Sequence, residues 1–175
     1  KVYKNSNSID AIMKERERAK KAFVLGVPTA ISYDIARVGK LYGSVFEMLD
    51  AKSYAELLKD GTPLEQLVDE SVKILKQIHA IEDVNHDLPS KKDEAVQWAK
   101  DCIAYLPAKV GTKLLKMMQA IPDRNTLIHG DFHIKNIMHL EKESLLIDME
   151  TLAVGHPILE LACSYSIYEG FECLD

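Results

Sequence analysis

Residues 127–137 read Leu127-Ile128-His129-Gly130-Asp131-Phe132-His133-Ile134-Lys135-Asn136-Ile137, and the rest of the chain is best read outward from them. The flanks, Thr126-Leu127-Ile128 and Ile137-Met138-His139, are short apolar runs of β type. Between them lies a dense set of polar groups. A loop pinned by strands at both ends can fix such groups at the lip of a cleft. A third β-type run, Leu145-Leu146-Ile147, delivers Asp148 at its end, followed by Met149 and Glu150. An Asp in a loop, an Asn five residues later and a second Asp at a strand end are what magnesium-dependent phosphoryl transfer requires. One carboxylate accepts or orients a hydroxyl proton, while a carbonyl oxygen and another carboxylate ligate the ion.

Two other readings of the loop compete with this one. It can be an ordinary polar turn, although the fixed spacing to Asp148-x-Glu150 argues against coincidence. His129-x-Asp131-x-His133 also offers ligand types for a hydrolytic zinc or manganese site, completed by His139, Asp148, Glu150 or His156. That reading gives no role to Asn136, or to a lysine and glutamate near the start of the chain.

His129-Gly130-Asp131-x-His133-x-x-Asn136 resembles the catalytic-loop signature of the aminoglycoside phosphotransferase and choline kinase group, which has a protein-kinase-like fold. Ile147-Asp148-x-Glu150, with Gly155-x-Pro157-x-x-Glu160-Leu161-Ala162, is similar to that group's metal-binding segment and the helix after it. The resemblance implies Asp131 as catalytic base, His133 near the transferred phosphoryl group, and Asn136 and Asp148 as Mg²⁺ ligands. His129 would shape the loop, and Glu160, where the group commonly has Asp, would buttress it. Lys1 would reach the ATP phosphates, held by a glutamate of the following helix. Glu15 and Glu17 lie about 200° apart around that helix, and Glu17, facing the same way as Met13, is the expected partner. The backbone of Glu47, Met48 and Leu49 would hold the adenine. The implied activity is ATP-dependent phosphorylation of a small-molecule hydroxyl, aminoglycoside-, choline- or sugar-like. The alternative is a kinase-like binding module without activity. Protein kinase activity ranks lower, because Asp148 to Gly155 leaves no room for a long activation loop.

The remaining sequence is consistent with this fold class, an α+β two-lobe arrangement. A strand at residues 1–4, a helix from Ile9 to Leu25 capped by Asn7 or Ser8, and a hairpin of Thr29–Arg37 with Tyr42–Leu49 make a small β-α-β-β lobe, residues 1–49. Residues 50–175 read as a larger, mainly helical lobe, with helical patterns near 53–58, 63–81, 91–105, 108–120 and 158–166. Trp98, Phe132 and the Met117-Met118 pair read as core. His79 reads as a packing histidine, while His86 and His139 read as surface. Val2-Tyr3 reads as mid-strand and Phe171 to Asp175 has no helix-ending signal, so the sequence is expected to be a piece of a longer one. By the resemblance, a phosphate-covering hairpin before Lys1 and most substrate-lining helices after α-helical residues 158–166 are outside it.

Composition bounds the class. The 175 residues are 47% hydrophobic and 28% charged, which excludes disordered and collagen-like classes. A net charge of −5 disfavours a phosphate-neutralising nucleic-acid partner. No apolar run approaches the roughly 20 residues of a membrane helix, and no secretory signal is seen. Three widely spaced cysteines form no C-x-x-C pair and fit reduced thiols, so a cytoplasmic location is expected.

Overall fold

A computed structural model describes residues 1–3, 9–141 and 143–172. The expected caps Asn7 and Ser8, Lys4 of the first strand and the last three residues lie outside these. Helix α1 (Ile9–Val24) buries Ile12, Glu15, Ala19 and Ala22 along one stripe. It stops at Gly26, whose φ of +87° lets Val27 N–H turn back to Ala22 O. Strands β1 (Ser32–Val38) and β2 (Leu41–Phe46) form an antiparallel hairpin across Gly39-Lys40, with Gly39 at φ +63°.

The first residues add to the free edge of β2. Lys1 N–H donates to Ser44 O (3.0 Å), Ser44 N–H to Lys1 O (2.9 Å) and Tyr3 N–H to Tyr42 O (3.1 Å). This approach explains Gly43: a Cβ there would stand 2.7 Å from Lys1 O. Any side chain would push the lysine strand away from the sheet.

The chain then passes β3 (Lys52–Ser53) into α2 (Tyr54–Lys59), where Ser53 and Glu56 close a capping box. Helices α3 (Leu64–His79), α4 (Lys91–Cys102) and α5 (Ala108–Ala120) follow. Strand β4 (Leu127–Ile128) pairs with β7 (Ala153–Val154), while β5 (Ile137–His139) lies between β3 and β6 (Ser144–Leu146). Helix α6 (Pro157–Glu172) ends the described chain, running past the expected end near Ser166. A main-chain bond from Leu146 N–H to Pro28 O (2.8 Å) joins β6 to the segment between α1 and β1. This mixed architecture is the α+β, kinase-like one expected.

Tyr54, Ile78, Leu127, Ile128, Ile137, Leu146 and Leu152 are all essentially inaccessible and form the centre of the core. They surround the strands that flank the 129–136 loop, so the loop is anchored at both ends by fully buried residues. Phe132 is 4% exposed and anchors its middle. Trp98 and Met117 depart from expectation, at 59% and 55% exposure. They face outward from the packed pair α4 and α5, over an apolar groove of about 610 Å³ shared with Ile158 and Cys163 of α6. No helix among the described residues is long and apolar enough to cross a membrane.

Candidate active site

Between the hairpin and the paired strands lies a cleft of about 250 Å³. Lys1, Glu15, Thr29, Phe46, Met138 and Asp148 contribute to its walls. Glu47 and Leu49 also line it, whereas the Met48 side chain points to solvent at 95% exposure. Glu47 pairs with Ile31, the residue before β1: its N–H donates to Ile31 O (2.8 Å), and its carboxylate accepts Ile31 N–H (3.3 Å). The 47–49 segment is therefore held against one wall of the cleft.

The amino group of Lys1 sits among three acids. Nζ is 2.9 Å from Glu15 Oε1, 2.8 Å from Asp148 Oδ1 and 3.8 Å from Glu150 Oε2. Burial alone would lower its pKa, but the Asp148 and Glu15 carboxylates outweigh this and hold it above the ordinary lysine value. The lysine is charged throughout the physiological range. Tyr3 donates its hydroxyl to the other oxygen of Glu15, and burial together with that carboxylate pushes the phenol up to about 12.

The helix partner of Lys1 is thus Glu15, which corrects the expectation of Glu17. Glu15 is 2% exposed and belongs to the Ile12–Ala19–Ala22 stripe. Glu17, like Met13, is on the outer face. Helical periodicity separates the two glutamates but cannot say which face meets the sheet, and Met13, on the side of Glu17, biases the choice wrongly. Met13 is about half exposed. A stability comparison checks the assignment. Glu15→Ala leaves the buried Tyr3 hydroxyl with Ser44 Oγ as its remaining partner, removes one of the two close carboxylates of Lys1, and is expected to lower the unfolding free energy by about 1–3 kcal/mol. Glu17→Ala is expected to stay within about 0.5 kcal/mol of the parent. Urea denaturation of both variants measures the difference; equal effects would reverse the correction.

Two further ties fix α1. Arg18 donates to the main-chain oxygen of Glu150, directly behind the Asp148 turn. Lys21 Nζ lies 3.0 Å from the fully buried Asp83 carboxylate. Helix position, Lys1 and the Asp148 segment are consequently one connected unit.

On the other side of the cleft, Asn136 Nδ2 donates to both the main-chain oxygen and Oδ2 of Asp131, each at 3.0 Å. This directs the amide nitrogen at Asp131 and leaves Oδ1 as the end free for another group. Asn136 O accepts Ile147 N–H (3.0 Å), so the loop and the residue before Asp148 are joined directly. Asp148 itself has φ +65° and ψ +65°, an uncommon conformation for a side chain larger than glycine's, found where a site over-determines the backbone. His133 Nε2 is 3.5 Å from Asp131 Oδ2, and its Nδ1 accepts Lys135 N–H (3.1 Å).

His129 is enclosed and shapes the turn. Its Nε2–H donates to Ile147 O (2.9 Å), and Nδ1 accepts Asp131 N–H (3.3 Å). Burial lowers its pKa, so the ring is neutral in this tautomer. Gly130 has φ +83°, and a Cβ there would meet Thr151 O at 2.6 Å. Only glycine fits. From below, α6 presents Glu160, Ser164 and Tyr168, four residues apart on one face. Glu160 accepts the N–H groups of His129 and Gly130, Ser164 donates to Phe132 O (2.8 Å) and Tyr168 accepts Ile134 N–H (3.0 Å). Of these three, only Glu160 is marked by the sequence motif.

The oxygen donors of Asn136 and Asp148 suit a hard divalent cation. Among the described residues, one three-acid grouping has ligand atoms within 4.8 Å of one another: Glu15, Asp148 and Glu150. Its centre is where the Lys1 ammonium lies, which accounts for the convergence of the acids without an ion. The zinc-type alternative loses its basis, since His129 spends both ring nitrogens on the main chain.

Comparison with known proteins bears on the family and the fold. The sequence matches the phosphotransferase enzyme family (APH) over residues 2–173. A sequence search of curated proteins gives no match. Among solved structures, the chain is similar to the aminoglycoside-3'-phosphotransferase of type VIII, with a TM-score of 0.63 and 19% identity over 89% of this chain and 64% of that one. It is similar to a thermostable mutant of the aminoglycoside phosphotransferase APH(4)-Ia in ternary complex with ADP and hygromycin B, with a TM-score of 0.62 and 15% identity over 85% and 60%. The amicoumacin kinase hAmiN, in complex with AMP-PNP, Ca²⁺ and Ami, gives a TM-score of 0.56 and 13% identity over 90% and 53%. The chain therefore spans under two thirds of the length of these structures. With the match covering nearly all of its own length, the chain belongs to the phosphotransferase enzyme family.

Proposed function

We propose that this chain is the core of a phosphotransferase that moves the γ-phosphoryl group of ATP to a hydroxyl of a small molecule, with Mg²⁺. The observation that supports the reading is a chain of contacts: Asp131 to the Asn136 side chain, Asn136 O to the N–H of Ile147 next to Asp148, and Asp148 to Lys1, the last two residues lining the cleft. Residues 1–49 form the nucleotide-side lobe in this reading and 50–175 the catalytic lobe. The cleft takes the nucleotide, with the adenine against the backbone of Glu47, Met48 and Leu49. Asn136 Oδ1 and the Asp148 carboxylate would hold Mg²⁺, which when bound neutralises phosphate charge. Lys1, restrained by Glu15, binds the phosphates once released from Asp148. Asp131 accepts the hydroxyl proton of the acceptor and orients it for in-line attack, with His133 beside the transferred group. Alignment and charge compensation account for most of the rate in such a loose transition state. The related structure that binds hygromycin B supports a small-molecule acceptor for this chain. A cytoplasmic location, with access to ATP, belongs to the same proposal.

Calorimetric titration of ATP tests the reading. Binding with Mg²⁺ that weakens sharply in EDTA, together with transfer of ³²P from labelled ATP to members of an amino-alcohol and aminoglycoside panel, is expected. ATP binding without transfer to any acceptor would favour the inactive binding module. Absence of binding in both conditions would overturn the proposal.

A further inference from the structure

The two carboxylate oxygens of Glu15 have different partners. Oε1 accepts the Lys1 ammonium at 2.9 Å, and Oε2 accepts the Tyr3 hydroxyl. Glu15 is buried, so water does not replace either partner, and a buried carboxylate is costly unless donors surround it. Among the described residues no other donor bonds Oε2. The orientation that keeps Oε1 on Lys1 therefore depends on Tyr3.

Chemistry fixes the direction of each proton in this group. A carboxylate only accepts, so the phenol donates to Glu15. A phenol has one proton to give, so the Ser44 hydroxyl, 3.0 Å away and also buried, donates to the phenol oxygen. Ser44 is in turn bonded to the Lys1 main chain in both directions. Lys1 and Tyr3 stand two apart on the segment that pairs with β2, which places them on one side of it and the exposed Val2 on the other. Lys1 Nζ lies 5.3 Å from the centroid of the Tyr3 ring, within the range of cation–π attraction. The tyrosine thus touches both members of the ion pair, its ring beside the ammonium and its hydroxyl on the carboxylate.

We propose that Tyr3 is a positioning residue for the phosphate-binding lysine: oriented by Ser44, its hydroxyl anchors Glu15 Oε2 and so keeps Oε1 on the Lys1 ammonium when that ammonium turns from Asp148 to a nucleotide phosphate. The nucleotide role rests on the phosphotransferase reading; the Ser44–Tyr3–Glu15–Lys1 chain does not.

Calorimetric titration of the full chain with ATP and Mg²⁺, and separately with adenosine, tests the role. Tyr3→Phe keeps the ring and removes the hydroxyl. Its affinity for ATP is expected to fall about tenfold, the worth of one hydrogen bond to a charged group, while its affinity for adenosine, which has no phosphates, stays at the parental value. A lobe that had merely loosened would weaken both ligands alike. That result, or an unchanged ATP affinity, would overturn the proposal. Added to Glu15→Gln, Tyr3→Phe is expected to cost little more, and fully additive losses would show that the two side chains act separately. Should Tyr3→Phe not fold, Ser44→Ala replaces it, with a fall of about two- to threefold confined to ATP; no fall would count against the chain.

NMR of the Lys1 ζ-ammonium supplies a readout that needs no nucleotide. It is made in Asp148→Ala, where Glu15 is the one remaining carboxylate within 3 Å of Nζ among the described residues. Exchange of the ammonium protons with water is expected to accelerate about tenfold when Tyr3→Phe is added, and unchanged exchange would overturn the hydrogen-bond chain. A parent protein that binds no ATP would refute the phosphotransferase reading and leave this exchange to decide the chain.

Discussion

Asp131→Asn is expected to lower kcat for phosphoryl transfer by about 10²- to 10⁴-fold, the range a positioned general base contributes, while Mg²⁺-dependent ATP binding stays near that of the parent. The substitution is chosen for its shape. Asn136 Nδ2 bonds the side-chain oxygen and the main-chain oxygen of Asp131, and an amide oxygen at position 131 can still accept the first of these. His129 Nδ1 accepts the main-chain N–H of residue 131, which the change leaves in place. The loop therefore keeps its form and loses only a carboxylate able to take a proton. His133→Gln should cost less than Asp131→Asn, since the imidazole stands 3.5 Å from the carboxylate and supports it from the side. Steady-state kinetics with a coupled assay, beside calorimetry, separates the two effects. Near-parental turnover in Asp131→Asn would remove Asp131 as base. Loss of ATP affinity equal to the loss of turnover would mean that the carboxylate binds and does not act on the acceptor.

The parts of this site that could be read from sequence are those in which neighbours in the chain are also neighbours in space. Asp131 to Asn136 is such a case: five residues fold back so that one side chain bonds the other, and the spacing alone carries the information. Asp148 is another, because a buried β run has to end somewhere and the residue at its end is delivered to the surface. Glu15 is the opposite case. Its pairing with Lys1 depends on how α1 rolls against a sheet assembled from residues 1–3 and 41–46, and helical spacing allows either glutamate. The support from α6 was illegible for a related reason. Its sequence has no dominant apolar stripe, so nothing marks the face carrying Ser164 and Tyr168 until the loop is set against it. Two-residue strands such as β3 and β7 are too short to show any period. They exist because β5 and β4 offer them partners. Trp98 and Met117 show the limit from the other side: hydrophobicity indicates that a side chain gains from being covered, not that the described chain covers it.

Asp148→Ala is expected to abolish the difference between ATP affinities measured with Mg²⁺ and with EDTA, and to lower turnover by about 10³-fold, in line with the several kcal/mol of charge stabilisation that a bound metal supplies. In the ligand-free protein this aspartate holds the Lys1 ammonium at 2.8 Å. On the proposed function, a magnesium nucleotide would exchange that ion pair for two others, Lys1 with phosphate and Asp148 with the cation. Glu15 would keep the lysine in place, since its own contact at 2.9 Å does not involve Asp148. The variant thus separates the two roles of the residue. If Asp148 served mainly to restrain Lys1, its loss would free the lysine, raise affinity for ATP in EDTA and leave the Mg²⁺ effect intact. If it binds the cation, affinity in EDTA rises or holds while the Mg²⁺ effect disappears. A titration of ATP at several Mg²⁺ concentrations distinguishes these outcomes directly, and an Mg²⁺ effect that survives in Asp148→Ala would transfer the metal role to Glu150, whose carboxylate is the third acid around the same lysine.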